Sequence, residues 1–176
     1  LDIEDSILIQ GVSIQDINVP DPFNPDEIVS IEGFSSGVFA SAERGTIGPA
    51  GNVLIETGSL EVADGGVINA LTSNESNAGD ITINADNLNL VNGGQVITST
   101  RNAGDAGRIT LNIQNQATFS GNDPGFENRL ARFGEDTVNN QGAESGIFAN
   151  TASGSTGQGQ NIQLTAGRLS LTDGAI

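Results

Sequence analysis

GNVLIETGSLEVADGGVINALT, residues 51–72, is answered without a gap by GDITINADNLNLVNGGQVITST, residues 79–100, an interval of 28. GRITL at 107–111 keeps the same interval, and QNIQL at 160–164 opens a fourth copy. Each unit contains a first apolar alternation, a second that ends in an Asx-Gly turn (SLEVADGG, NLNLVNGG, RLSLTDGA), and a third short run (VINALT, QVITST). The runs are short, alternate with period two and are rich in Ile, Val and Leu, which predicts strands. Three strands per 28 residues make a coil.

A longer echo supports this reading. Residues 35–67 match residues 144–176 at a constant offset of 109, with Ser36 over Ser145, Phe39 over Phe148, Asn52 over Asn161 and Asp64 over Asp173. One such unit cannot bury its own apolar face, so neighbours must stack. The predicted fold is therefore all-β, a parallel β-helix of about five coils, with equivalent strands paired about 4.7 to 4.9 Å apart.

Four inward columns follow. They are Val53, Ile81, Ile109 and Ile162; Ile55, Ile83, Leu111 and Leu164; Leu60, Leu88, Ala117 and Leu169; and Val62, Leu90, Phe119 and Leu171. The last two require a one-residue slip within 112–117. Gly65, Gly93 and Gly174, each preceded by Asp or Asn, mark sharp bends with positive φ.

The chain divides into an irregular first coil at 1–33 with a loop at 20–27, regular coils at 34–121, an insertion at 122–145 and a truncated last coil at 146–176. In the insertion, Phe126, Leu130 and Phe133 fall at helical spacing, with Asp123 as N-cap, Pro124 at the first helical position and Gly134 as stop. A short helical excursion over 123–134 is expected, its apolar stripe packed on the coils and covering ladder residues. Arg129 and Arg132 would then face outward, where they could meet an acidic glycan or a partner protein.

Composition narrows the chemistry. The chain has 176 residues, a net charge of −16 and no Lys, His, Cys, Met, Trp or Tyr; its six cations are all Arg. Nucleic-acid binding is excluded on charge. Thiol and imidazole catalysis, the usual metal and haem ligands, and a disulfide scaffold are excluded by the missing types. No apolar window is long enough for a transmembrane helix. The absence of an initiator Met and the abrupt close at Asp173–Ile176 suggest a piece of a longer protein, with any secretion signal elsewhere.

Two acidic clusters are candidates for calcium. Asp21, Asp26 and Glu27 lie in the Pro-rich loop 20–27, and NAGD occurs at 77–80 and 102–105; neither has regular ligand spacing, and solvated or stacked turns explain them better. No catalytic, cofactor-binding or metal residue is assigned, and no cofactor is expected.

Runs such as NAGDITINADNLNLVNGGQVITSTRNAGDAGRITLN and GQNIQLTAGRLSLTDGAI resemble the repeat region of filamentous-haemagglutinin-like exoproteins of the large cyanobacterial type, over roughly 34–121 and 142–176. The resemblance implies a right-handed coil within a large secreted or surface-held adhesin, exported by an outer-membrane two-partner secretion transporter. The expected function is a rod that displays loops for adhesion, with a surface glycan or protein ligand.

The alternative is a carbohydrate-active β-helix, a lyase or hydrolase with paired carboxylates such as Asp80 and Asp105. No Trp, Tyr or Lys accompanies these acids. An ice-binding plate is disfavoured because Leu54, Thr82, Thr110 and Gln163 do not form a Thr row. Open β edges at both ends also predict end-to-end self-association.

Overall fold

The computed structural model describes residues 1–12, 17–20, 28–31, 34–134, 138 and 140–176. In chain order the strands are β1 (Asp2–Gln10), β2 (Ile17–Pro20), β3 (Ile28–Ile31), β4 (Gly37–Phe39), β5 (Val53–Ala63), β6 (Val67–Thr72), β7 (Ile81–Val91), β8 (Gln95–Thr100) and β9 (Ile109–Ser120). One helix, α1 (Phe126–Phe133), precedes β10 (Gly146–Thr151) and β11 (Ile162–Thr172). The chain is thus mostly β.

Two parallel sheets carry the repeat. One runs β1-β5-β7-β9-β11 and the other β10-β8-β6-β4, while β2 and β3 form a separate antiparallel pair. Long strands go to the first sheet and short ones to the second, so the chain alternates between them. Every pairing inside the two larger sheets joins parallel strands. Because parallel neighbours cannot be joined by a tight hairpin, each step needs a crossover, and the short strand with its flanking loops supplies it.

The four columns form as the alternation predicts. Val53 pairs with Ile81, Ile81 with Ile109 and Ile109 with Ile162; Leu60, Leu88, Ala117 and Leu169 stack likewise. The slip is real: Gln114 and Asn115 stand opposite the single residue Asp86, between the pairs Ala85–Ile113 and Asn87–Gln116. A β-bulge absorbs the additional residue, and both flanking columns stay aligned.

Ile55, Leu60, Ile81, Ile83, Leu88, Leu90, Ile109 and Leu111 are fully buried in one core. At roughly 1.5 to 3 kcal/mol per buried aliphatic side chain, this core is the main favourable term.

One expectation is corrected. The first two runs of each unit do not form separate strands but a single strand of 11 residues, as in β5 and β7, so each unit has two strands and not three. The intervening polar residues, Thr57–Ser59 and Ala85–Asn87, stay within the ladder. The turn that follows is sharper than expected. Asp64 and Asn92 have φ of 51° and 50°, and Gly65 and Gly93 follow at 77° and 84°, so two successive residues are left-handed, as in a type I′ turn.

The two central short strands, β6 and β8, are buried along their whole length, including Asn69, Thr72, Gln95, Thr98 and Thr100. One side faces the core, and loops cover the other. Thr98 donates to the Gly107 carbonyl at 2.7 Å, and Thr72 to Asn74 Oδ1 at 2.8 Å, so these two hydroxyls remain partnered, whereas the buried Asn69 Oδ1 has no hydrogen-bond partner among the described residues.

From the irregular first segment, β1 joins the sheet beside β5. The loop assigned to 20–27, with the calcium candidates Asp21, Asp26 and Glu27, lies outside the described residues beyond Pro20.

Candidate functional site

The insertion leaves the end of β9 and re-enters at β10 through a zipped neck. Asn122 and Glu144 form an antiparallel bridge, Asp123 donates its amide to Ala143 at 2.7 Å, and Ser145 donates to Gly121 at 3.0 Å. Anchored this way, 122–145 closes on itself, and the stack can resume in register at β10.

Its helix differs from the expectation. Helix α1 begins at Phe126 with Gly125 as N-cap and no side-chain cap, whereas Asp123 and Pro124 precede it. The Asp123 carboxylate instead accepts the Gly125 amide at 2.7 Å and forms an ion pair with Arg129. Gly134, at φ 77°, ends the helix as foreseen.

Arg129 is the clearest correction: it is 4% exposed and faces inward. A guanidinium is tolerated there because Asp123 neutralises it and Asn140 Oδ1 accepts from it at 3.3 and 3.4 Å. Asn140 also accepts from Ser35 at 2.7 Å and donates to the Gly65 and Gly93 carbonyls at 3.2 and 3.5 Å. The insertion is therefore pinned over two successive Asx-Gly turns as well as over a ladder residue, Gln95 of β8.

Glycine is required at these turns twice over, by φ and by space. A Cβ on Gly65 would lie 2.9 Å from Asp123 Oδ2, and one on Gly93 would collide with the Asp123 backbone amide at 2.9 Å. Gln95 completes the clasp, donating to Gly142 and Glu144 at 3.0 and 2.7 Å and accepting from the Gln141 amide at 2.9 Å. Arg132 does face outward, where it stacks over Phe133 at 4.9 Å.

A cleft of about 450 Å³ opens beside the pinned insertion, lined among others by Arg44, Arg101, Phe126, Leu130, Asn140 and Gln141. Two of the six Arg residues meet there. Sequence reasoning missed them because they stand 57 residues apart, one more than two repeats, a distance that only stacking closes. Guanidinium, amide and apolar groups together can hold a polar ligand; the cleft's described lining contains no nucleophile–base pair.

The carboxylates that a glycan-cleaving enzyme would have to pair, Asp80 and Asp105, belong to different columns. Asp80 accepts the Arg108 amide at 2.7 Å and donates its own amide to Asn52 Oδ1 at 2.9 Å. Asp105 accepts the Gln158 amide at 2.9 Å and donates to Asn77 Oδ1 at 2.9 Å. Each spans to the neighbouring unit, so these Asx side chains bond backbone amides of the adjacent repeat.

A polar column on the long strands works the same way: Asn112 donates to Asn84 at 2.9 Å, and Asn84 to Glu56 at 3.3 Å. Asp64 accepts from Gln10 and from Asn92, and these bonds, Gln10 first, hold its carboxyl below the usual carboxylate value.

No group of three or more His, Cys, Asp or Glu side chains among the described residues could hold a metal ion. Among the described residues no helix is long and apolar enough to cross a membrane. No family model, curated protein or solved structure matches this chain.

Proposed function

We propose that this chain is a structural and adhesive repeat segment of a large secreted or cell-surface exoprotein, wound as a parallel β-helix of about five coils. The observation that carries the reading is the in-register parallel pairing of residues one repeat apart, Val53 on Ile81 and Ile81 on Ile109, in both sheets. A right-handed winding agrees with the strong preference of parallel β-crossover-β connections. On this reading β1 and β4 make the first coil, β5 and β6 the second, β7 and β8 the third, β9 and β10 the fourth, and β11 opens the fifth.

Its work is mechanical. The stack fixes the spacing of displayed loops, and repetition along a rod raises avidity without any single strong contact. The surface charge keeps the shaft apart from its neighbours. Export by an outer-membrane two-partner transporter belongs to the same proposal and rests on sequence resemblance. The polysaccharide-cleaving alternative is weakened by the commitment of Asp80 and Asp105 to backbone amides.

Presenting the immobilised chain with neutral and acidic glycans and with host-surface proteins, while monitoring glycan size, tests this. Retention without scission is the expected result. Scission that disappears in Asp80→Ala or Asp105→Ala would replace the adhesive reading with the enzymatic one, and no retention on any surface would remove it.

A further inference from the structure

We propose that the cleft beside the pinned insertion binds an acidic saccharide, a short sugar chain whose carboxylate or sulfate is held by Arg44 and Arg101. The inference rests on the adhesive reading and deepens it by naming a site and a ligand class.

The cleft is lateral. Its described lining comes from the loop after β4, from β8 and the residues that follow it, from the insertion and from the end of β10, and neither β1 nor β11 contributes to it. Its volume of about 450 Å³ falls in the range of about 300 to 1,000 Å³ that small-ligand sites occupy. In a chain of net charge −16, two of the six Arg residues line this one hollow, and no described lining residue is acidic. A concave surface of one sign concentrates ligands of the other.

The donors are held in place by the fold. Arg44 is exposed on a tight loop that Thr46 closes by donating to the Glu43 carbonyl at 2.7 Å, and that Asn74 clamps by donating to the Thr46 and Gly48 carbonyls at 3.2 and 2.8 Å. Among the described residues the Arg44 guanidinium has no partner. Across the cleft the side-chain oxygen of Gln141 accepts from Asn150 at 2.6 Å, which leaves the Gln141 amide hydrogens for a ligand. Ser99 of β8 lines the cleft although it is 2% exposed, and its hydroxyl has no hydrogen-bond partner among the described residues. A buried hydroxyl left open to a hollow calls for a polar occupant.

The same lining favours a sugar over an acidic peptide. Strand β8 is paired on both sides, by β6 and β10, so it offers no edge to an extended chain. Phe126 and Val138 are buried, so little apolar surface is left for an anchoring side chain. What remains is a pair of guanidinium forks suited to an anion, with neutral amides and hydroxyls suited to ring hydroxyls.

Four probes titrated into the full chain, followed by backbone amide magnetic resonance, test this: trigalacturonate, a sulfated galactose trimer, neutral galactotriose and a triglutamate peptide. The charged sugars are expected to shift amides around Arg44, Arg101 and Gln141, with the neutral sugar bound at least about tenfold more weakly. The tighter of the two charged sugars identifies the anion. Arg44→Gln should weaken binding about 10- to 100-fold, whereas Arg168→Gln, the same charge change on β11, should leave it within about twofold. Ser99→Ala, which removes only the hydroxyl, should weaken it about 2- to 10-fold.

No binding of any probe, equal binding of the neutral sugar, shifts confined to other residues, or an Arg44→Gln chain that binds unchanged overturns the inference. Triglutamate that binds as tightly as the sugars overturns it in favour of an acidic peptide. Retention of the immobilised chain on glycan surfaces that persists in Arg44→Gln removes this site and leaves the adhesive reading standing.

Discussion

The Asp80 carboxylate accepts the backbone amide of Arg108, one repeat downstream, at 2.7 Å. The amide belongs to the residue just before the next long strand, so one side chain caps the entrance to its neighbour's ladder. Asn52 does the same for Asp80 itself. Asp80→Ala should cost about 1 to 2 kcal/mol of unfolding free energy, while Asp80→Asn, which keeps a carbonyl acceptor, should stay within about 0.5 kcal/mol. Denaturant unfolding followed by far-ultraviolet circular dichroism distinguishes the pair.

Asp123 and Arg129 form a buried ion pair, and removing one partner strands the other. Asp123→Ala or Arg129→Ala should each destabilise by about 3 to 5 kcal/mol, whereas a double exchange to apolar residues of similar volume should cost much less. A thermodynamic cycle over the four proteins measures the coupling. Near-additive single losses would show that the pair does not act as a unit.

Gly107 stands with its α-carbon against the Gly79 carbonyl, and an added Cβ would overlap that oxygen. Gly94 meets the Val62 carbonyl in the same way. Gly107→Ala and Gly94→Ala should each cost about 3 kcal/mol or more through backbone displacement. Gly45 has open space around its Cβ position but a φ of 83°, so Gly45→Ala should cost less, about 1 kcal/mol from strain alone. Thermal unfolding midpoints should follow that order.

Asp64 titrates below the usual carboxylate value because Gln10 and Asn92 donate to its charged form. A folded-state value that is depressed means the stabilisation is present above the unfolded-state value and fades as pH falls through the folded one. Gln10→Ala should raise the Asp64 titration midpoint more than Asn92→Ala, and acid unfolding should begin at a higher pH in both. Carbon-detected magnetic resonance of the Asp64 carboxyl reads this directly.

Much of the stack is legible in the sequence because inward positions repeat both every second residue and every 28 residues. Val53, Ile81 and Ile109 satisfy both periods at once, so few other registers compete. The division of each long strand is not legible, because Thr57–Ser59 and Ala85–Asn87 have the composition of a turn while the ladder on both sides holds them extended. The burial of Arg129 is hidden for a different reason. Helical spacing places Phe126, Leu130 and Phe133 on one stripe, but the groups that admit a guanidinium, Asp123, Asn140 and the two glycine turns, come from segments up to 75 residues apart. The cleft with Arg44 and Arg101 is likewise a product of stacking. Only the scarcity of cations hinted that their positions mattered.

The cross-unit bonds from Asn52 to Asp80 and from Asp80 to Arg108 make length a countable property of this protein. An additional copy of residues 53–80 inserted after Asp80 would donate the amide of its own Asp80 to the resident Asp80 carboxylate and offer its carboxylate to the Arg108 amide. Duplication or loss of whole storeys can thus lengthen or shorten the shaft while each remaining joint stays as it was.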